Sequence, residues 1–128
     1  MAAFCKADPE LAFDNLMCLS GVDYPKEKEP RMEVVYHLYS IPNKERIRIK
    51  APVAETDCTI DSACALWNAA DWLEREVYDL MGVRFAGHPD LRRIMLPEDF
   101  EGHPLRKEYP MEGDDEWRNY LPPEGREP

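Results

Sequence analysis

The feature that most limits what this chain can become is a pair of neighbouring segments patterned for strands. Glu33-Val34-Val35-Tyr36-His37-Leu38-Tyr39-Ser40-Ile41 is β-branched and aromatic, the breakers Pro42-Asn43 follow, and Arg46-Ile47-Arg48-Ile49-Lys50 alternates strictly between basic and apolar. Successive side chains of a strand point to opposite faces, so the second segment offers one face to a core and one to water. Two such strands joined by a short turn make an antiparallel hairpin. A strand this polar on one side belongs to a sheet with one face exposed.

The flanks supply helices. Asp8-Pro9-Glu10 reads as a helix start, with an acceptor at the N-cap and proline at the first helical position, and Phe13 to Tyr24 is open between a continuing helix and a strand. Thr59 to Trp67 suits a short helix, and Asn68 is placed to cap a longer one that ends at Gly82. In that helix Leu73, Val77, Leu80 and Met81 form the expected buried stripe, while Glu74, Arg75 and Asp79 lie off it, Arg75 and Asp79 one turn apart. The expected fold is α+β: a small, mostly antiparallel sheet with helices packed on one face. It occupies residues 1–85, and residues 86–128 form an extended, proline-rich docking strip and acidic tail.

Composition narrows the partners. The 128 residues carry 16 basic and 26 acidic side chains, a net charge of −10, which repels phosphate backbones and anionic lipid and argues against nucleic-acid binding. Residues 98–128 hold ten acidic and four basic side chains and five of the twelve prolines, so this part is expected to lack a core of its own. Apolar runs such as Leu16-Met17-Cys18-Leu19 are far short of the roughly 20 residues that cross a bilayer, so membrane contact is expected only through partners. Cys5, Cys18, Cys58 and Cys64 show no paired spacing and are expected to be reduced thiols, and the N-terminus has no secretion-signal pattern.

Residues 74–110 hold 14 charged side chains in 37, both signs interleaved, on a backbone pinned by glycine and proline. The stretch is too charged for a core. With Leu91, Ile94, Met95, Leu96, Phe100 and Leu105, it is also too apolar for a solvated linker. It reads as a docking strip whose apolar anchors enter a partner's pockets while its arginines pair with carboxylates. Gly87-His88-Pro89 and Gly102-His103-Pro104 sketch a weak two-histidine metal site, and Glu74, Glu76 and Asp79 sketch a weak acid–base set. The expectation for the acids beside Arg75 is a solvated or salt-bridged face. No phosphate loop, nucleophile elbow or Cys/His catalytic spacing occurs in the sequence.

The same stretch resembles the signature of the 30 kDa subunit family of respiratory complex I, the C subunit of the proton-translocating NADH:quinone oxidoreductase. Glu74-Arg75-Glu76, Asp79-Leu80, Gly82, Gly87-His88-Pro89-Asp90-Leu91-Arg92-Arg93-Ile94, Leu96-Pro97-Glu98-Asp99 and Glu101-Gly102-His103-Pro104-Leu105-Arg106-Lys107 carry the resemblance, with Met95, Phe100 and Glu108 as mild departures. It extends upstream through Asp8-Pro9-Glu10-Leu11 and Val22-Asp23-Tyr24-Pro25, and it implies a chain lacking the family's N-terminal elements. The resemblance implies a peripheral-arm subunit with no redox centre and no cofactor of its own. FMN, iron–sulfur clusters and quinone belong to partner subunits, and the partners are the quinone-site (49 kDa-type) subunit and adjacent Fe-S subunits on the cytoplasmic side of a bacterial inner membrane. The expected subunit-interface residues are Arg75, Asp79, Gly87, His88, Pro89, Asp90, Arg92, Arg93, Pro97, Gly102, His103, Pro104, Arg106 and Lys107, with no catalytic or metal-ligating residue. The alternatives are the equivalent module of a related membrane-bound hydrogenase complex and a stand-alone metal-dependent hydrolase using His88 and His103.

Overall fold

A computed structural model of the chain describes residues 1–24 and 29–111. The acidic tail expected over 112–128, with Pro122, Pro123 and Pro128, lies outside the described residues. The fold is α+β. A short helix α1 (Ala2–Ala7) leads into β1 (Asn15–Asp23), β2 (Met32–Ser40) and β3 (Glu45–Val53), which form a three-stranded antiparallel sheet in that spatial order. β4 (Thr59–Asp61), helix α2 (Ala70–Met81) and β5 (Arg84–Ala86) follow, with β4 and β5 paired in parallel.

The hairpin forms as the pattern requires, with Ser40 opposite Glu45 and Met32 opposite Val53. Met32, Val34, Tyr36 and Leu38 of β2 are buried on one face, joined by Leu16, Leu19, Val53, Val77 and Met81. At the closest approach of α2 to the sheet stands Gly21, where an added Cβ would lie 3.1 Å from both Val77 and Met81. A bulge between Leu16 and Cys18 brings Met17 to the surface, a common effect of an extra residue in a strand.

Three local expectations are corrected. Asp8-Pro9-Glu10 closes a helix rather than opening one: Asp8 is the C-cap of α1, its carboxylate accepts the Glu10 N–H at 2.8 Å, and Pro9 cannot continue the helix. The stretch Phe13–Tyr24, open between helix and strand from the sequence, holds the strand β1 over Asn15–Asp23 and is not itself a correction. Thr59–Trp67 is not a helix, because Thr59–Asp61 pairs with Arg84–Ala86 and the next residues make a turn, with the Trp67 N–H donating to the Ala63 carbonyl at 3.0 Å. Tertiary pairing overrides the helix propensity of an alanine-rich segment there. α2 starts at Ala70 after Ala69, one residue beyond the cap expected at Asn68, and Asp71 complements the helix dipole in its first turn.

Candidate functional site

α2 is covered on two sides. Ala70, Glu74, Val77 and Met81 fall at i, i+4, i+7 and i+11 and are all buried, whereas Leu73 and Leu80, expected in the stripe, are half-buried. Arg75 and Asp79, one turn apart, are buried as well. Of the solvated or salt-bridged face expected for these acids, the solvated form does not occur at Glu74 and Asp79, both 0% exposed, while Asp79 does pair with an arginine, Arg93 rather than Arg75. A buried carboxylate is stable only where donors replace its water. Both are supplied with them.

Glu74 anchors the N-terminal half. Its Oε1 accepts the Ala63 N–H at 2.6 Å, and its Oε2 accepts the Ser62 hydroxyl at 2.6 Å and the Cys64 thiol at 3.3 Å. His88 lies alongside, its Nε2 4.0 Å from Glu74 Oε2 and 3.1 Å from Asp71 Oδ1. Cys64, Glu74 and His88 place ligand atoms within 4.8 Å of one another, a donor set a transition metal accepts. The hydrogens are arranged otherwise. Burial pushes the Cys64 thiol up to about 11, so its proton stays and points to Glu74. The Asp90 N–H donates to His88 Nδ1 at 2.9 Å, which leaves the ring hydrogen on Nε2, donated to the Asp71 carbonyl at 3.0 Å. In this arrangement the cluster works as a clamp between α2, the 62–64 turn and the chain after β5.

Asp79 anchors the C-terminal half and gathers the strip. Its Oδ2 accepts the N–H groups of Ile94, Met95 and Leu96 at 3.2, 2.8 and 3.0 Å, while its Oδ1 pairs with Arg93 Nη1 at 2.9 Å. Burial works to raise this carboxyl, but the three backbone donors and Arg93 outweigh it and hold it below the usual carboxylate range. The Asp79 carbonyl accepts His103 Nδ1–H at 2.9 Å, and burial draws the His103 pKa down. Arg106 Nε donates to the Met81 carbonyl at 2.7 Å and the Leu105 N–H to the Leu80 carbonyl at 3.0 Å. These groups close over Gly82 (φ +77°), where a Cβ would lie 2.6 Å from the His103 ring and 2.7 Å from Arg106.

A third pin ties the strip to the sheet. Arg31 Nε and Nη2 bind Asp23 at 2.5 and 2.6 Å, Nη2 also binds Glu108, and the Lys107 N–H donates to Asp23 Oδ2 at 2.7 Å. The Arg31 guanidinium holds the Asp23 carboxyl below its ordinary range.

The residues expected at a subunit interface therefore divide. Arg75 and Asp79 are buried, and His88, Arg93, His103, Pro104 and Arg106 are half-buried. Apart from Pro104, each of these bonds to the chain's own groups, with Arg75 donating to the Arg92 carbonyl at 3.2 Å and stacking on Trp72 at 4.7 Å. Gly87, Pro89, Asp90, Arg92, Pro97, Gly102 and Lys107 are exposed, and Arg92 and Asp90 pair at 3.0 Å. His88 and His103 are not brought together: they serve Asp71 and Asp79, about 12 Å apart along α2. Sequence reasoning missed the buried role of Glu74 and the Asp23–Arg31–Glu108 pin. The signal for Glu74 was its place on the Ala70–Val77–Met81 helical line; the pin had none, because Arg31 and Glu108 are 77 residues apart.

Comparison with known proteins matches this architecture. Residues 1–115 match the family described as Respiratory-chain NADH dehydrogenase, 30 Kd subunit. The NADH-quinone oxidoreductase C subunit of Geotalea uraniireducens (strain Rf4) is 57% identical over 116 residues, covering 90% of this chain and 70% of the relative. Its counterpart in Geobacter sulfurreducens is 61% identical over 97 residues, 76% of this chain and 60% of that relative. Among solved structures, a trypsin-resistant fragment of Nqo5 aligns with a TM-score of 0.59 at 39% identity, covering 64% of this chain and 68% of the fragment. A chain of an archaeal membrane-bound sulfane sulfur reductase aligns at 0.72 with 27% identity, covering 86% of this chain and 66% of its own length. The chain belongs to the family of the 30 kDa subunit of respiratory-chain NADH dehydrogenase.

Proposed function

We propose that this chain is a cofactor-free peripheral-arm subunit of a proton-translocating NADH:quinone oxidoreductase, docked on the quinone-site (49 kDa-type) subunit and its Fe-S neighbours. Electrons pass from NADH through FMN and Fe-S clusters to quinone on those partners, and this chain supplies shape. The observation that carries the reading is the pinned strip. Residues 88–108 are fixed from behind by Asp71, Asp79 and Arg31, yet they turn Met95 and Leu105 outward and frame a groove with Leu96, Phe100, Pro104 and Tyr109. A rigid backbone with outward apolar anchors loses little entropy on binding. Among the described residues no helix is long and apolar enough to cross a membrane, and the reading has the chain reach the cytoplasmic face of the inner membrane through its partners. The likeness to the sulfane sulfur reductase chain favours a second reading, the equivalent module of a related membrane-bound complex, hydrogenases included.

The test is co-purification of partner subunits from the native host with tagged chain carrying Met95→Asp and Leu105→Asp. Loss of the quinone-site partner with an unchanged fold supports the reading, and full retention sinks it. The identity of the large partner recovered with the native chain separates the two complexes.

A further inference from the structure

Of the arginines in α2 and residues 86–111, Arg92 pairs with Asp90, Arg93 with Asp79 and Arg106 with Glu108, the last at 3.9 Å. Arg75 pairs with no carboxylate among the described residues, although it is only 8% exposed. Asp71 and Asp79 stand one turn to either side of it, but they turn to His88 and Arg93. A guanidinium taken this far out of water is ordinarily matched by an opposite charge. Its nitrogens are unequally used. Nε donates to the Arg92 carbonyl at 3.2 Å, and Cζ lies over Trp72, 4.7 Å from the ring centroid. Nη1 and Nη2 make no hydrogen bond among the described residues, and neither is sealed from solvent. The plane is thus held on one face by the indole and at one corner by the strip, while the end of the fork stays open. Trp72 itself is 62% exposed. Both residues project from the side of α2 opposite the line of Ala70, Glu74, Val77 and Met81, so the helix stands between them and the core on which α1 packs.

We infer that Trp72 and Arg75 form a receptor for one carboxylate, an aspartate or glutamate side chain on the folded surface of a partner subunit. The two Nη groups take its oxygens end-on in a bidentate pair, and the indole shields that pair from water. The missing counter-charge of Arg75 is then supplied from outside the chain. A guanidinium already locked in its plane loses little freedom on pairing, which a flexible lysine in its place does not match. Anionic lipid and phosphate-bearing polymers are opposed by the net charge of −10. The inference rests on the subunit reading above and adds to the apolar groove of the strip a directional charged contact that fixes how the partner is turned.

The experiment uses the tagged full-length chain, co-purified with its partners from the native host. Arg75→Lys puts an amine at the receptor, and a carbodiimide then joins that amine to any carboxylate in direct contact. Peptide mass analysis should find position 75 linked to an aspartate or glutamate of another subunit. Links only to this chain's own acids, residues 112–128 included, would overturn the inference. The second measurement is the rate at which partners leave the immobilised chain in rising salt. Trp72→Ala and Arg75→Gln should each speed it at least about tenfold, and Arg75→Lys less, because it keeps the charge and loses the fork. Trp72 is exposed, so its variant keeps the fold, and circular dichroism checks both. A role confined to holding the Arg92 carbonyl predicts faster amide exchange over residues 90–94 in Arg75→Gln with unchanged partner release, and that result sinks the inference. Partners recovered with the Arg75→Lys chain yet unlinked at position 75 sink it alone, whereas a native chain that recovers no partner sinks the subunit reading beneath it.

Discussion

Glu74 and Asp79 show what a carboxylate does when it is buried with its donors. Each receives three or more hydrogen bonds from groups that are distant in sequence, so each works as a hub that fixes loops lacking apolar content. Asp79→Ala removes the acceptor for three backbone N–H groups and strands Arg93. The expected loss is about 3–5 kcal/mol in urea unfolding, the range for breaking a buried charged network. A loss below about 1 kcal/mol would show that water replaces the carboxylate freely. The thiols give a second residue-scale prediction. Cys18 is exposed, whereas burial raises the pKa of Cys58 and of Cys64, the latter to about 11. Iodoacetamide at neutral pH should therefore modify Cys18 first and leave Cys64 nearly untouched, as peptide mass analysis over a time course will report.

At the scale of elements, the strip is part of the domain's architecture. Gly82 is where this shows most sharply, because the left-handed turn that ends α2 is also the floor on which His103 and Arg106 rest. Gly82→Ala should cost about 1–2 kcal/mol for the backbone conformation alone, and more because the two side chains must move. Limited proteolysis should then cut within residues 87–109 in the variant and spare the native chain. Equal resistance of both proteins would mean the strip is held elsewhere.

How far the sequence reveals these elements follows from the physics of each. The hairpin is legible because strand alternation is local, and α2 because Gly82 and the Val77–Met81 spacing are local. The 59–67 segment misleads, since its parallel partner lies 25 residues away. Arg93, His103 and Arg106 are legible as special, but their role is not: an arginine that pairs inward and one that pairs outward read alike until Asp79 and the Met81 carbonyl are seen beside them.

For the whole molecule, the titrating pins all pull stability in one direction. Asp23, Asp79 and Glu108 have folded pKa values below their ordinary range, so they stabilise the fold above about pH 4 and lose that contribution as the pH falls through their folded values. His103 is also lowered, chiefly by burial, so the folded state favours its neutral ring. Its contribution is complete above about pH 6.5 and declines as the pH falls toward the folded value. Thermal melts should therefore show a first decline in Tm below about pH 6.5 and a steeper one below about pH 4. His103→Gln should remove the first and keep the second, and an unchanged first decline would assign it to another group.

The pins also set an order of events in time. Arg31 meets Glu108 and Asp23 meets Lys107 across 77 and 84 steps of chain, whereas β1, β2 and β3 pair with their nearest neighbours. Long closures are entropically costly and wait for a surface to close upon. The meander and α2 are therefore expected to form first, with the strip folding down onto a platform already made. Unfolding is expected to run the other way, with the strip opening while the sheet is intact, so native-state amide exchange should be faster over residues 87–109 than over β1–β3.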